Sequence, residues 1–504
     1  MPDDRRPYIR RPRHLVGRGF KRSSAILGVM MAGTVGGCTV GPDFASPAAP
    51  SQNSYTAKPV STRVAAAAGR DQQQVEMGGR LQTDWWTLLQ SPPLNQIVEL
   101  ALANNKTLDI ARANVAKANE AVKGAQGSLY PQIDASTELG RQKYGAMFLG
   151  PMASSFAAFS AYSAGVNVSY DLDVFGGNRR RIELAAAGAE VQRDDLNAAR
   201  LTVAGDTVAD ALQIASIHDQ IATAETVIAS DEQNLRLVRT ANVGGTATQI
   251  DVATAQSQLD HDRGLLPPLR QQLEAAEDAL ATLVGQSPAS WSAPEFTLET
   301  MRLPADIPLV VPSELVRARP DVRAAEAQLH AASAAVGVAT ADLYPHINLT
   351  ATVAEQGLLG GPAGIAWSAL GGLTAPVFHG GALAASRRAA EDSYQATFAL
   401  YQQTVLTAFR QVADNLHGVG NAADAVATQQ HALGSADAAL RLTRLGYSGG
   451  TATLIQVLDA QRLQQLAELS LVQARTDRYM QTVNLFLAMG GGVTDGARQV
   501  AQAQ

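Results

Sequence analysis

The sequence predicts a mixed α and β fold built from an internal duplication, in which short amphipathic strands alternate with very long helices. Three observations support this prediction. Two sequence landmarks occur twice in the same order, several segments alternate between apolar and polar residues, and long Ala-rich stretches follow those segments. The chain has 504 residues, of which 46% are hydrophobic, so it is long enough to bury a large core.

The duplication rests on two pairs of matching segments. The sequence Leu-Tyr-Pro-Gln-Ile at 129–133 returns as Leu-Tyr-Pro-His-Ile at 343–347, a shift of 214 residues. The sequence Gly-Gly-Thr-Ala-Thr at 244–248 returns unchanged at 449–453, a shift of 205 residues. Solenoid repeats have periods of about 20–50 residues. Each copy is therefore one large structural half.

Helices are predicted at equivalent places in the two halves. They cover about 98–127, 178–242 and 248–285 in the first half, and about 320–341, 383–446 and 453–489 in the second. Pro320 suits a first helical turn, where its missing N–H costs nothing. The Gly-Gly turns reverse the chain between the last two helices of each half, and Thr248 with Asp251 forms a predicted capping pair. The helices alone are equally compatible with a soluble helical bundle.

Four strands are predicted from alternation between apolar and polar residues, which is typical of a strand with one apolar face. The alternation is clear at 166–174 and 346–353 and weaker at 132–139 and 366–377. Each half thus contributes two strands, joined by Gly-rich loops.

The N-terminal region has the features of an exported lipoprotein. Several arginines precede a short apolar run, and two glycines lie directly before Cys38, the single cysteine of the chain. A basic region, an apolar region and a small-residue cleavage site define a secretory signal, predicted here for 1–37. Val-Gly-Gly-Cys at 35–38 resembles a lipobox, so Cys38 is the expected lipid attachment site; the alternative is an ordinary signal peptide with an incidental cysteine. The Pro-containing segment 38–80 is predicted to be an extended tether.

The predicted strands imply an assembly. A four-stranded sheet with an apolar outer face cannot cross a membrane alone, because its edges would leave backbone groups unpaired in hydrocarbon. Membrane barrels begin at about eight strands, so several chains must share one. Three copies would give about 12 strands, enough for a water-filled lumen. The net charge of −6 argues against a nucleic-acid partner.

Several segments carry a family resemblance, and they cover nearly the whole mature chain. They are Asp84-Trp85-Trp86, the region 94–108, Tyr-Asp-Leu-Asp-Val-Phe-Gly at 170–176, Arg-Pro-Asp-Val-Arg-Ala-Ala-Glu at 319–326, both Leu-Tyr-Pro triplets, and Leu-Asp-Ala-Gln-Arg at 458–462. With these residues the chain resembles the outer-membrane factors of tripartite efflux pumps, the lipoprotein branch related to TolC and OprM. The Arg-Pro-Asp segment is the most specific of them.

The resemblance implies a homotrimer in the outer membrane, with a shared transmembrane β-barrel continued by a periplasmic helical tunnel. It implies two partners, a periplasmic adaptor (membrane-fusion protein) and an inner-membrane transporter, and an anchor in outer-membrane lipid. The domains expected are two outer-membrane efflux repeats at 81–300 and 301–490 and a C-terminal tail at 491–504. The function implied is a passive exit duct for small molecules such as drugs.

Two groups of site residues follow from the resemblance. The closing gate falls on Tyr447, Ile455, Asp459 and Arg462, and in a trimer Asp459 would form a ring of three carboxylates; the alternative is that Asp459 is a solvated helix residue. Gly446 occupies a position where relatives often carry arginine, so one ionic contact of the gate is expected to be missing. The adaptor-contacting tips are Gly244, Gly245 and Thr246 in the first half and Gly449, Gly450 and Thr451 in the second. The alternative is that these glycines only form turns.

A second function class stays open at the level of the sequence. A lipid-anchored periplasmic scaffold or binding protein would share the signal and the helices, and the strand alternation is what distinguishes the duct from it. No nucleophile with a base, no phosphate-binding loop and no metal-ligand spacing among the histidines is visible. An enzymatic activity, a cofactor and a metal site are therefore not expected. The cargo and the identity of the adaptor and transporter cannot be derived from the sequence.

Overall fold

The computed structural model of the chain describes residues 39–57, 63–64, 73–143 and 157–492. The predicted signal 1–37, the lipid site Cys38 and most of the predicted tail at 491–504 lie outside the described residues. Within the described part, no helix is both long and apolar enough to span a membrane.

The two halves share the same order of their main elements. The first half contains β1 (Arg63–Val64), β2 (Gln73–Met77), a 3-10 turn (Trp85–Leu89), α1 (Pro92–Asn104), α2 (Lys106–Gly127), β3 (Gln132–Gln142), β4 (Phe159–Leu172), α3 (Gly177–Val243), α4 (Gln249–Arg263) and α5 (Leu266–Leu283). The second half contains β5 (Asp306–Leu309), α6 (Pro312–Ala318), α7 (Pro320–Ala341), β6 (His346–Leu358), β7 (Ala363–Thr374), α8 (Ala382–Ser448) and α9 (Leu454–Ala488). In each half a helix leads into a strand pair, a long helix, a turn and a returning helix, as the duplication predicts.

The four predicted strands form one antiparallel sheet in the order β3-β4-β6-β7. Its register aligns Ala135, Val166, Val353 and Trp367 in one cross-strand row. The neighbouring row on the opposite face is polar, and the Thr352 hydroxyl donates to Asn167 Oδ1 at 2.9 Å. The strands extend beyond the segments of clear alternation, because ladder hydrogen bonds form whether or not the side chains alternate.

The apolar face of this sheet is exposed in the single chain. Trp367 and Ile365 on β7 are 76% and 78% exposed, and Ile133 on β3 is 70% exposed. Within the described residues, β3 and β7 each keep one edge without a strand partner. A continuous apolar surface of this kind indicates a contact with lipid or with another chain.

Two predicted helices are each divided. The helix expected at 98–127 breaks at Asn105, whose side chain accepts from Thr107 N–H at 2.8 Å and donates to the Leu283 carbonyl at 2.8 Å. The returning helix expected at 248–285 ends at Arg263 and restarts at Leu266. Two prolines occupy the first turn of the second piece, and since proline cannot donate a helical hydrogen bond, the chain restarts there.

A second, three-stranded sheet was not predicted. Its order is β1-β2-β5, with β2 parallel to β5 and Val75 opposite Ile307. Strand β2 belongs to the segment 38–80 that was predicted to be an extended tether. The described part of that segment is extended, but it packs on the body of the protein. The side chains of this short sheet alternate over too few residues to give a pattern.

The main core lies where α1, the 3-10 turn and the ends of α7 and α9 meet the middle parts of α3 and α8. Trp85 is 1% exposed and its ring centroid lies 5.8 Å from that of Phe486. Leu89, Leu94 and Leu212 are fully buried in the same cluster. The core therefore holds the two halves together at the middle of the long helices. Both ends of these helices, at the strands and at the Gly-Gly turns, extend beyond the core.

Candidate gate and hairpin tips

The two Gly-Gly turns have the same local structure. In each, the threonine after the glycines donates its N–H to a carbonyl five residues earlier, Thr246 to Ala241 at 2.9 Å and Thr451 to Gly446 at 2.8 Å. Gly245 and Gly450 both have φ of +76°, a left-handed conformation that favours glycine. The turns are thus built alike at the end of each long helix.

Capping boxes start both returning helices. The Thr248 side chain accepts from Asp251 N–H at 3.2 Å, while Asp251 Oδ2 accepts from Thr248 N–H at 2.7 Å. The Thr248 hydroxyl also donates to Asp251 Oδ2 at 2.7 Å, and this hydrogen bond, together with the one from Thr248 N–H, holds the pKa of the Asp251 carboxyl below its usual value. Thr453 and Gln456 form the equivalent box in the second half. The predicted pair of Thr248 with Asp251 is confirmed.

Three of the four predicted gate residues share one face of α9. Ile455, Asp459 and Arg462 follow the spacing i, i+4, i+7, which places them on the same side of a helix, and all three are exposed. Tyr447, near the end of α8, is 40% exposed. Within residues 157–492, neither Asp459 nor Arg462 makes a hydrogen bond or ion pair. In one chain these groups are therefore presented without partners.

The equivalent face in the first half carries no charge. With the shift of 205 residues, Tyr447, Ile455, Asp459 and Arg462 correspond to Asn242, Ile250, Thr254 and Ser257. The charged face is thus a property of the second tip alone. At Gly446 an added Cβ would lie 3.1 Å from the Ala452 Cβ, a tight contact, whereas its first-half counterpart is Ala241.

The beginning of α9 packs against the first-half hairpin. Leu454 and Leu458 lie in a buried cluster with Leu235 and Val238 of α3 and Leu259 of α4. The predicted gate residues Ile455, Asp459 and Arg462 lie on the adjacent, exposed face of α9. Any displacement of the gate face must therefore disturb this packing.

A buried polar group continues that contact deeper along the helices, and the sequence reasoning missed it. Gln461 donates to Asp231 Oδ1 at 2.6 Å and accepts from Asn234 at 2.8 Å. Gln465 donates to Asp262 Oδ1 at 3.4 Å. The signal that could have identified these residues is Gln461 within the matching segment 458–462, one residue from the predicted gate arginine.

A groove beside this contact has a volume of about 520 Å³ and lies between α3, α8 and α9. Charged side chains from α8 and α9 line it, among them Arg441, Arg444 and Glu468. Arg444 crosses it and donates to Ser230 Oγ at 3.1 Å. Among the described residues no group of His, Cys, Asp and Glu side chains could hold a metal ion.

The first described residues are fastened at the other end of α3, where the strands meet the helices. Arg180 Nε donates to the Val40 carbonyl at 3.2 Å, and Nη2 donates to Asp43 at 2.7 Å. The third nitrogen, Nη1, donates to Glu183 at 2.7 Å. Thr39 packs directly on Gly176, which precedes α3. The residue that follows Cys38 is therefore held beside the four-stranded sheet.

Comparison with known proteins gives consistent matches. The family model described as "Outer membrane efflux protein" matches residues 97–286 and 311–491. The pyoverdine export outer membrane protein OpmQ of Pseudomonas aeruginosa is 31% identical over 81% of this chain and 87% of its own length. Outer membrane protein OprJ of the same organism is 29% identical over 94% of this chain and 97% of its own length. The solved structure of the outer-membrane channel OprN covers 90% of this chain and 99% of its own, with 27% identity and a TM-score of 0.80.

Proposed function

The chain belongs to the outer membrane efflux protein family, and from this premise we propose that three copies of it form one exit duct of a tripartite efflux pump. As a family member it is a passive outer-membrane duct for efflux. The observation that carries the proposal is the four-stranded sheet with an exposed apolar face and two free edges. In the alternative, a lipid-anchored periplasmic scaffold, the exposed apolar face of the sheet would have no role.

The trimer follows from the sheet. Strands β3 and β7 expose backbone N–H and C=O groups at their free edges, and such groups must be paired inside a membrane. Pairing β3 of one copy with β7 of the next satisfies both edges. Three copies close a barrel of about 12 strands, with the row that contains Trp367 facing lipid and the row that contains Thr352 facing water.

The helices place the tips far from the membrane. Helices α3 and α8 each have 67 residues, which at ~1.5 Å per residue corresponds to roughly 100 Å. The sheet lies at one end of these helices and the Gly-Gly tips lie at the other. We therefore place the tips in the periplasm, where an adaptor can reach them.

The lipid on Cys38 is part of the proposal. Thr39 packs on Gly176 at the junction of β4 with α3, so an acyl chain on the preceding residue would start at the membrane edge of the barrel. The barrel is the main anchor, and the lipid adds to it.

Native mass spectrometry of the detergent-solubilised protein tests the trimer and the lipid together. We expect three chains per assembly, each beginning at residue 38 with the added mass of an acylated cysteine. The same preparation should form ion-conducting pores in planar bilayers. A stable monomer with a conducting pore would contradict the trimer, and an unmodified Cys38 in protein purified from membranes would contradict the lipid.

The cargo and the partners are inferred from the relatives. Relatives of this chain are named for pyoverdine export, toluene efflux and solvent efflux. We propose that this duct likewise carries small organic molecules, drugs among them, delivered by an inner-membrane transporter through a periplasmic adaptor. The adaptor contact is assigned to the tips Gly244, Gly245, Thr246, Gly449, Gly450 and Thr451.

Cysteine crosslinking tests the adaptor contact. A cysteine placed at Thr246 or Thr451 should form crosslinks with the adaptor in cells, because both side chains lie at the ends of the hairpins. Thr137 on β3 provides the control, since it is exposed at the sheet end of the molecule. Crosslinks to the adaptor from Thr137 and none from the tips would reverse the orientation proposed here.

The gate is proposed at Tyr447, Ile455, Asp459 and Arg462. Its support is the unpartnered, exposed face of α9 beside the second tip, where a threefold axis would bring three such faces together. Rings of carboxylates of this kind favour cations in pores. Arg462 and Tyr447 of neighbouring copies would supply the donors that three close carboxylates require.

A further inference from the structure

Two carboxyl groups are buried side by side where the first-half hairpin meets α9. Asp231 on α3 and Asp262 on α4 are each 2% exposed, and the α9 amides that contact them, Gln461 and Gln465, are 5% and 4% exposed. We call these four residues the carboxyl clasp. It is the place where buried polar side chains of the first hairpin contact the helix that carries the proposed gate.

One carboxylate oxygen of the clasp receives no hydrogen bond. Asp231 Oδ1 accepts from Gln461 at 2.6 Å, while Asp262 accepts from Gln258 at 2.7 Å and from Gln465 at 3.4 Å. Asp231 Oδ2 is buried and has no partner. A buried oxygen without a donor is costly. A proton on Asp231 removes this cost, because the carboxylic acid can donate to Asp262.

The charges around the clasp favour the protonated form. Burial, together with the hydrogen bond and the negative charge of Asp262, raises the pKa of Asp231 to about 7, while the hydrogen bond from Gln461 and the charge of Arg444 on α8 act in the opposite direction. The α9 side chains that face the pair are neutral amides. The charged neighbours on α9, Asp459 and Arg462, are on its exposed face. Glu232 and Arg263, which follow the two aspartates, pair with each other at 2.7 Å on the outside.

The duplication does not repeat this pair of acids in the second half. With the shift of 205 residues, Asp231 and Asp262 correspond to Ala436 and Ala467 in the second half. Gln461 corresponds to Gln256, whose amide donates to Asp260 at 3.0 Å on an exposed surface. In the second half, α8 and α9 pack on each other without a buried pair of acids at these positions. The buried pair is thus a feature of the first-half hairpin.

We propose that one proton, shared by Asp231 and Asp262, holds the first turns of α9 against the first-half hairpin and keeps the gate closed, and that loss of this proton releases α9. The inference rests on the proposed gate, because Gln461 lies between Asp459 and Arg462 in sequence and moves with them. Two adjacent buried carboxylates repel each other. The deprotonated clasp can relieve that repulsion only by admitting water, which separates α9 from α3 and α4.

The direction of the pH effect follows from this geometry. In the closed state the pKa of Asp231 is about 7, and once water reaches the side chain it returns toward its usual value of 3.8. The closed state thus binds the proton more tightly, so acid stabilises it. Between those two pKa values each unit of pH increase shifts the equilibrium of each chain toward the open state by about tenfold. Above pH ~7 the shift levels off, because both states are then deprotonated.

Single-channel recording across pH tests the proposal. The open probability of the native trimer should rise from about pH 5 to about pH 7 and then stay constant. Asp231→Asn keeps the acceptor for Gln461, supplies a permanent donor to Asp262 and should abolish the rise, leaving a closed channel at every pH. Asp260→Asn makes the same chemical change two residues from Asp262 at an exposed site, and should keep the rise. An unchanged pH profile in Asp231→Asn would overturn the proposal.

The protonation of the clasp can also be measured without relying on channel opening, so that the clasp and the gate are tested independently. Infrared difference spectra should contain a protonated carboxyl band that disappears on raising the pH through about 7 and is missing in Asp231→Asn. If the Asn variant fails to assemble, Asp262→Asn serves in both measurements. A conductance rise in the Tyr447→Ala, Asp459→Ala variant with no such band would retain the gate and refute the clasp. A band present in a protein that forms no pores would instead refute the duct.

Discussion

Replacing Tyr447 and Asp459 together by alanine is expected to increase the open probability of the reconstituted channel by about 10–100-fold. In the proposed closed tunnel three copies of each residue meet, and each exposed polar contact contributes about 0.5–1 kcal/mol. Lost in three copies, such contacts weaken the closed state by about 1.5–3 kcal/mol. Because Asp459 and Arg462 have no partner among the described residues of their own chain, we expect the contacts that are lost to lie between copies. Single-channel recording in planar bilayers measures the change.

Ion selectivity gives an independent readout of the same variant. Three carboxylates near the axis attract cations, so removing them should lower the cation preference measured as a reversal potential. Thr254→Ala is the matched control, since Thr254 occupies the position equivalent to Asp459 in the first half and carries no charge. Conductance and selectivity equal to those of the parent would place the gate elsewhere and leave Asp459 as a solvated helix residue.

Arg319→Ala is expected to lower the free energy of unfolding by about 2–4 kcal/mol per chain, more than Arg319→Lys or Arg410→Ala. The Arg319 side chain is almost fully buried and binds Asp321 through two nitrogens, at 3.0 and 2.6 Å. It also donates to the Ala488 carbonyl at the end of α9 and to Gln411 of α8, each at 2.7 Å. Truncation leaves the buried Ala488 carbonyl without this donor and removes the donor to the partly buried Gln411 side chain. The free energy lost is therefore more than that of one surface ion pair.

Thermal or urea denaturation at matched protein concentration measures this loss, because the stability of an oligomer depends on concentration. Arg319→Lys should fall between the parent and the alanine variant, since lysine keeps the charge but cannot bind Asp321 through two nitrogens. Arg410→Ala is the control. Arg410 pairs with Asp414 at 2.8 Å on an exposed surface, and its loss should cost about 0.5 kcal/mol or less. Equal effects of Arg319→Ala and Arg410→Ala would contradict the structural role assigned to Arg319.

Local patterns in the sequence were sufficient to predict the main helices and strands and their order along the chain. Alternation identified the four strands, since a half-exposed strand repeats every two residues. The repeated Gly-Gly-Thr-Ala-Thr segments located both tips, because a left-handed turn and a threonine cap each require particular residue types over a few positions. The specific segment at 319–326 pointed to the correct family.

Contacts between distant parts of the chain were decided by the tertiary structure. Arg319 was recognised as part of a motif, but its bonds to Ala488 and Gln411 cross 169 and 92 residues. The strand Gln73–Met77 lies in a segment whose composition indicates a tether, and it is a strand because Asp306–Leu309 pairs with it. The pairing of Asp231 with Asp262 and Gln461 likewise joins three helices. Periodicity reports which face of an element is apolar, whereas the partner of a buried polar group is selected only when the helices pack and exclude water.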